Sequence, residues 1–226
     1  MFGEPMDYSD TTVIVPEKDE PAVSKVVRDV LRTLRNCRVI VVYKGASNMT
    51  VSEAASLGVT LARQHGSGKG NACIQAARLV KTRIMCLIDA DATYDARDLR
   101  RLVELVRNGA DLAVGNRLER LDRGSMPSFV EFGNKVISGT ANLLYGMHVK
   151  DTQTGLRAIR KDVFNALGLK EPRFGIESEM TIKARKRGFK IEEIPISYYI
   201  RVGSSKQMKL IDGIKLFLLD FKFLLG

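Results

Sequence analysis

The chain reads as an α/β protein built on a mostly parallel sheet with helices on both faces, and three observations carry that reading. Short β-branched runs alternate with helical patterns through the first half, the runs are apolar along nearly their whole length, and polar or glycine residues follow their carboxyl ends. Strands without apolar/polar alternation are strands buried on both faces, and helices of ten or more residues between them supply the crossovers that parallel pairing needs.

The elements follow in order. Residues 12–16 form a first strand, 22–35 a helix and 38–43 a second strand. A third apolar stretch near 59–62 precedes a helix over 69–80, a strand over 83–88, a helix over 96–107 and a strand over 111–114. Ligands of such sheets bind beyond the carboxyl ends of the strands. Here those ends run into Pro16-Glu17-Lys18-Asp19-Glu20, Lys44-Gly45-Ala46-Ser47, Asp89-Ala90-Asp91 and Gly115-Asn116-Arg117, so one edge of the sheet collects the chemistry.

Composition narrows the class. At 226 residues, with 45% hydrophobic and 27% charged residues, the chain supports one sizeable core and carries no repeat or low-complexity tract. Residues 1–207 are expected to form that single domain, with 208–226 as a C-terminal amphipathic helix. Three cysteines, Cys37, Cys73 and Cys86, are odd in number and lack metal spacing, which fits buried thiols in a reducing compartment. No apolar run reaches the ~20 residues a membrane span needs, and the first ten residues are acidic, so a cytoplasmic protein is expected. The net charge of +10 calls for an anionic partner. Nucleic acid fits poorly: there is no Trp, and no basic stretch is interleaved with aromatics.

The most informative motif is Asp89-Ala90-Asp91, delivered by the apolar run Ile84-Met85-Cys86-Leu87-Ile88. Two carboxylates at the end of a buried strand need positive charge, because an unpaired buried ion costs several kcal/mol. A few oxygen ligands suit Mg²⁺ or Mn²⁺, which complete their shells with substrate phosphates and water. The plainer reading is one aspartate capping a helix and the other in solvent. Gly66-Ser67-Gly68-Lys69-Gly70-Asn71 places flexible backbone and a lysine at a helix start, where free N–H groups favour phosphate, although it is not a Walker loop and a simple turn is the competing reading. The stretch from Val149 to Arg160 around Asp151 is a polar cluster running into a short strand, with a simple turn as the competing reading. Glu177 and Glu179 open an amphipathic stretch, and their spacing lets at most one face a pocket, leaving the other solvated in the first turn. Tyr199-Ile200-Arg201-Val202-Gly203-Ser204-Ser205-Lys206 is a loop with two cations and two hydroxyls that suits phosphates.

In this order the motifs resemble a family 2 glycosyltransferase of the GT-A fold, a Rossmann-like architecture, and within it the dolichyl- and polyprenyl-phosphate sugar synthases. The resemblance runs from Val13 to about Lys206 and rests on Val13-Ile14-Val15-Pro16 with Glu20, Gly68 to Ala72, Asp89-Ala90-Asp91, Val114 to Arg117, Asp151 to Arg157, Glu179 ahead of Gly188, and Arg201 to Lys206. It implies that Pro16, Glu20 and Lys69 line the donor nucleotide site, that Asp89 contacts the nucleotide or its metal, and that Asp91 binds the metal bridging the diphosphate; Lys44, at the second strand's end, is expected beside the donor although it departs from the family's pattern. Arg201 would hold the donor diphosphate, while Arg117, Ser205 and Lys206 would hold the acceptor phosphate. Asp151 and Glu179 would orient sugar or acceptor groups near the reacting centre, with Asp91 the third residue of the catalytic set. Two positions depart from the pattern: Tyr43-Lys44-Gly45-Ala46 replaces the usual acidic residues after the second strand, and Thr93 stands where the dolichyl-phosphate mannose type carries Gln.

The expected activity is therefore metal-dependent, inverting transfer of a sugar from UDP or GDP to a polyprenyl phosphate at the cytoplasmic membrane face. A lipid phosphate is already largely dianionic at neutral pH and attacks without a general base. The alternative acceptor, a soluble or glycan hydroxyl, would need Asp151 as base. From another class, Tyr43, Lys44 and Thr93 would suit a nucleotide-sugar binding protein without catalysis. Two apolar segments, 129–145 and 208–225, are expected to lie on a membrane surface, with the protein's own core or a homodimer contact as the competing explanation. In the tail, Leu210, Ile211, Ile214, Phe217, Leu218, Phe221 and Leu225 share one side of a helical projection, and Leu216, Leu219 and Phe223 interrupt the other.

Overall fold

The computed structural model describes residues 6–44, 49–202 and 210–224. The chain runs β1 (Thr11–Glu17), α1 (Val23–Thr33), β2 (Arg38–Tyr43), α2 (Met49–Ala55), β3 (Thr60–Arg63), α3 (Lys69–Ala77), β4 (Ile84–Leu87) and α4 (Ala96–Arg107). It continues through β5 (Leu112–Asn116), α5 (Ser128–Tyr145), β6 (Arg157–Arg160), α6 (Lys161–Leu167), α7 (Ile176–Lys186), β7 (Ile191–Pro195) and α8 (Leu210–Lys222). The strands form one seven-stranded sheet in the order β3-β2-β1-β4-β6-β5-β7.

Burial of both sheet faces explains the unbroken apolar strands. Val13 and Val15 of β1 pack with Val23, Val27 and Leu99 under α1 and α4, whereas Ile14 between them packs with Ala72, Cys73 and Met180 under α3 and α7. In β4, Ile84 and Cys86 take the first face, and Met85 and Leu87 take the second. The three cysteines are buried free thiols. Asp95 caps α4 by accepting from the Arg97 N–H at 2.8 Å, and Gly146 ends α5 in the left-handed conformation.

Two topological facts position the site. The strand order reverses at β1, which pairs in parallel with β2 on one side and β4 on the other. The carboxyl ends of β1 and β4 therefore meet at the switch point, where α/β sheets open a crevice. The second fact is that β6 runs antiparallel between β4 and β5, pairing Leu87 with Arg157 and Val114 with Arg157. An antiparallel strand enters the sheet from the edge where its parallel neighbours leave, so the segment before β6 is delivered to the ends of β4 and β5. The short strand after Asp151 was legible in sequence, and so was the mostly parallel sheet. The direction of β6, the parallel strand β7 and the helix α2 were not.

The tail helix corrects the projection drawn from its sequence. Leu216 is buried and Leu219, Phe223 and the buried Asp220 share its inner side, while Ile214, Leu218 and Phe221 are exposed. The residues that seemed to interrupt a polar face are thus the ones docked on α5 and α7, with Phe223 against Ala141, Met147 and Ile182. The Tyr145 hydroxyl donates to the Asp220 carbonyl, and Lys186 Nζ to the Phe223 carbonyl at 2.8 Å. No helix among the described residues is long and apolar enough to cross a membrane.

Burial pushes the Asp220 carboxyl up to about 7, against an ordinary 3.8, with the Ser178 hydroxyl opposing it. A carboxyl raised on folding binds protons more readily in the folded state, so its contribution to stability falls as pH rises between those two values. Asp220→Asn is expected to raise Tm at pH 8 and to leave it almost unchanged at pH 4. Calorimetric scans at both pH values check this; equal shifts at the two would contradict it.

Candidate active site

Beyond β4 the chain leaves the sheet one residue at a time. Ile88 still donates its N–H to the Ile14 carbonyl at 3.2 Å, and Asp89 is the first residue free of the ladder. Ala92 then takes a left-handed φ of 60°, a conformation that costs a residue with a Cβ about 1–2 kcal/mol. This bend turns Thr93 back onto Asp91: its hydroxyl donates to Asp91 Oδ1 at 2.7 Å and its N–H to the same oxygen at 3.2 Å. Thr93 thereby orients Asp91 rather than adding a ligand of its own. Burial raises the Asp91 carboxyl above its ordinary range, the Asp89 charge adds to the shift, and Arg201 opposes it.

Lys69 and the two acidic segments meet at the centre. Its ammonium lies 2.5 Å from Asp89 Oδ1 and 2.7 Å from Glu177 Oε1. Despite the desolvation that disfavours its charge, these two carboxylates hold the Lys69 pKa well above ordinary. Gly155 lies against this pair so closely that a Cβ there would come within 2.5 Å of Asp89 Oδ2 and 2.6 Å of Lys69 Nζ. The glycines around Lys69 have a different purpose from the phosphate cradle considered in sequence. The Gly70 and Asn71 N–H groups donate to the carbonyls of Arg173 and Pro172, at 3.2 and 2.9 Å. A Cβ at Gly68 or Gly70 would stand 2.2 and 2.1 Å from the Pro172 and Glu171 carbonyl oxygens. The start of α3 is therefore capped by the 171–173 backbone, and Lys69 is what the motif contributes to the cleft.

The start of α7 likewise departs from expectation. Glu177 and Glu179 are both buried, so neither is a solvated first-turn carboxylate. Glu177 reaches Lys69, and its Oε2 is buried with no hydrogen-bond partner. Glu179, expected near the reacting centre, instead accepts from the Lys170 and Glu171 N–H groups at 2.9 and 2.7 Å and pairs with Lys183 at 2.7 Å. It fixes the loop ahead of α7. The two residues diverge because neighbouring positions two apart on a helix point some 200° apart.

On the other side of the cleft, Arg117 and Asp151 form a buried pair. Arg117 donates from Nε at 2.7 Å and Nη2 at 2.9 Å, and its own N–H adds a third bond at 3.1 Å. Asp151 also accepts from the Gln153 N–H at 3.2 Å, so both of its oxygens are occupied. Arg157, fully buried, holds the same loop from below through the Thr152 and Thr154 carbonyls and the Thr181 hydroxyl, all within 2.9 Å. Tyr94 accepts from the Gly155 N–H at 2.8 Å and meets Tyr198 edge-on, while Arg117 lies over the Tyr198 ring.

After β7 the chain crosses the top of the cleft. Tyr199 donates its N–H to the Thr93 carbonyl at 2.9 Å, and Val202 to the Asp91 carbonyl at 3.2 Å. Arg201 is thereby set 3.4 Å from Asp91 Oδ2 and pairs with Glu20, which follows β1. Pro16 lies near the end of β1 and Lys44 follows β2, both at the same edge and half-buried. Ser205 and Lys206 lie outside the described residues. The buried Glu17, which accepts from the Glu20 N–H at 3.0 Å, was not singled out in sequence; its only signal was its place at a strand end.

The donor set at Asp89 and Asp91 is hard oxygen, suited to Mg²⁺ or Mn²⁺. Among the described residues no three carboxylate, imidazole or thiol groups converge on a metal position. Two carboxylates therefore fit an ion that draws its remaining ligands from a substrate and water, as Mg²⁺ does at phosphates.

A mostly parallel sheet with a switch-point cleft, paired aspartates at a strand end and an antiparallel strand between two parallel ones is a GT-A-like fold. The chain belongs to glycosyl transferase family 2, whose model matches residues 12–168. It is 29% identical over 197 residues to glycosyltransferase AglJ of Haloferax volcanii, covering 85% of this chain and 64% of that protein's length. It is also 29% identical over 201 residues to the dolichyl-phosphate hexose transferase of the same organism, covering 88% and 87%. Among solved structures, glucosyl-3-phosphoglycerate synthase of Mycobacterium tuberculosis, in complex with Mg²⁺ and uridine diphosphate, matches with a TM-score of 0.74. That match is 16% identical over 92% of this chain and 78% of that one, a likeness of fold.

Gly155→Ala is expected to displace the Asp89 and Lys69 side chains within the cleft and to lower sugar transfer about tenfold or more, with a loss of Tm. Steady-state assays beside thermal melts check this; full activity in a folded variant would show that the cleft tolerates a side chain at position 155.

Proposed function

We propose that the protein transfers a sugar from UDP or GDP to a polyprenyl phosphate, with inversion and with a divalent metal. One observation carries the reading: Asp89, Asp91, Lys69 and Arg201 converge at the switch point, where a diphosphate would meet both its metal ligands and its cations. In this reading Pro16, Glu20 and Lys44 flank the nucleotide. Asp91 and Asp89 would hold Mg²⁺ or Mn²⁺, which when bound would offset charge on the departing diphosphate. Lys69 and Arg201 stabilise the same charge from the protein side. The free Oε2 of Glu177, buried beside Lys69, is the natural acceptor for a hydroxyl of the donor sugar.

The bond from the sugar's anomeric carbon to the diphosphate oxygen breaks as an acceptor phosphate oxygen bonds to the opposite face of that carbon, and the electron pair leaves with the nucleotide. Asp151 supports a phosphate acceptor over a hydroxyl. Its oxygens are taken by Arg117 and backbone N–H groups, which leaves it poorly placed as a base, and a phosphate dianion needs none. Asp151 thus fixes Arg117, whose Nη1 is the part left for the acceptor; Ser205 and Lys206, outside the described residues, are proposed to bind the same phosphate. Glu179 supports the site only through the 170–171 loop. The polyprenyl-phosphate class also matches the activity named for the dolichyl-phosphate relative.

A lipid acceptor places the protein at a membrane, on the cytoplasmic face. Phe129, Phe132 and Leu143 of α5 are 59%, 70% and 84% exposed, and Ile214 and Leu218 of α8 are 51% and 58% exposed. Exposed Lys215 and Lys222 accompany them on a chain of net charge +10, a combination suited to anionic bilayer surface. The tail therefore docks inward by one face and offers the other to the bilayer.

Asp91→Ala is expected to abolish lipid-linked product while keeping the wild-type melting temperature within a few degrees. Undiminished product, measured by thin-layer separation of labelled lipid, would sink the proposal. Replacing Phe132 and Leu143 by Asp should reduce co-sedimentation with anionic vesicles, and unchanged sedimentation would remove the bilayer assignment alone.

A further inference from the structure

Each aspartate of the pair is already met by a cation of the protein itself. Lys69 Nζ stands 2.5 Å from Asp89 and is shared with Glu177 at 2.7 Å, with only 12% of its side chain exposed. Arg201 stands 3.4 Å from Asp91, pairs with Glu20 across the mouth of the cleft, and keeps its Nε buried without a partner. The two cations come from different elements, one at the start of α3 and one beyond β7, yet both terminate on the aspartates. A divalent ion brought to the same oxygens would lie against two fixed positive charges in a partly desolvated cleft, where repulsion is only weakly screened.

The ligand count points the same way. Because no three metal-binding groups converge among the described residues, the protein offers such an ion two carboxylates and must leave the rest of its shell to other oxygens. A diphosphate resolves both difficulties at once. Its oxygens complete the shell, and its negative charge gives Lys69 and Arg201 a new partner as they give up the aspartates.

We infer that Lys69 and Arg201 are internal place-holders for the donor's charges, so that metal and nucleoside diphosphate enter together and each is bound weakly without the other. This rests on the donor-site reading above and adds the order of events. Linkage makes the effect reciprocal: nucleotide raises metal affinity by the factor by which metal raises nucleotide affinity. It also makes a prediction against ordinary expectation, since removing a cation from the site should improve metal binding to the free protein.

The test is titration of Mn²⁺ into the full chain, followed by the electron paramagnetic resonance signal of free Mn²⁺, alone and with UDP or GDP, each read against the same nucleotide without protein because a diphosphate chelates Mn²⁺ by itself. For the wild type, Mn²⁺ affinity is expected to rise tens of fold, roughly 10–100-fold, on adding the matching nucleotide. Lys69→Met should tighten nucleotide-free Mn²⁺ binding about tenfold and shrink the nucleotide effect. Because Lys69 is buried and its loss leaves Glu177 uncompensated, Arg201→Met at the cleft mouth is the second variant, with the same expected direction; circular dichroism confirms folding of both. Equal Mn²⁺ affinity with and without nucleotide, or folded variants that bind Mn²⁺ no better than wild type, would overturn the inference while leaving the donor site standing. Absence of Mn²⁺ and nucleotide binding under every condition would overturn the donor-site reading and this inference with it.

Discussion

The Lys69 ammonium, buried between Asp89 and Glu177, is the contact on which the geometry of the cleft depends. It joins the start of α3, the end of β4 and the start of α7, three places brought together only by the complete fold. A buried ion left unpaired costs several kcal/mol, so these segments have little freedom to part once the sheet has formed. The other constraints radiate from this contact. Gly155 is small because the pair abuts it, and Gly68 and Gly70 are small because the 171–173 backbone must close on α3 to bring Glu177 within reach.

A second buried network sets the opposite wall. Arg157 organises the loop ahead of β6 through backbone carbonyls, and that loop presents Asp151 to Arg117. The arrangement follows from the direction of β6, which enters the sheet where β4 and β5 leave it. Charge and topology thus answer to each other: the antiparallel strand creates a polar loop at the edge, and buried ion pairs hold that loop in one conformation.

The sheet was legible in sequence because burial of both faces leaves a local signature, the unbroken apolar runs of β1, β2 and β4. The carboxyl-edge chemistry was legible through the same strands, since their ends announce which residues converge. What escaped was non-local. The direction of β6 depends on its partners rather than on the residues Arg157 to Arg160 themselves. Glu177 and Glu179 differ by 200° around a helix axis, and nothing in the sequence alone says which way α7 is rotated. The Gly66–Asn71 segment showed that small residues were needed but not whether a phosphate or another backbone would approach them. In the tail the apolar residues were identifiable, yet the inner side proved to be the one carrying Leu216, Leu219 and Asp220, because which side docks depends on its fit to α5 and α7 rather than on the tail's residues alone.

We propose that a sugar-nucleotide diphosphate lies against Lys69 and Arg201 with its metal at the aspartate pair. A crystal structure with Mn²⁺ and the nucleotide that binds, phased to show the anomalous signal of manganese, measures this directly. A single strong peak is expected within bonding distance of Asp91, with the diphosphate between it and Lys69. A diphosphate bound away from Lys69, or manganese coordinated without either aspartate, would contradict it.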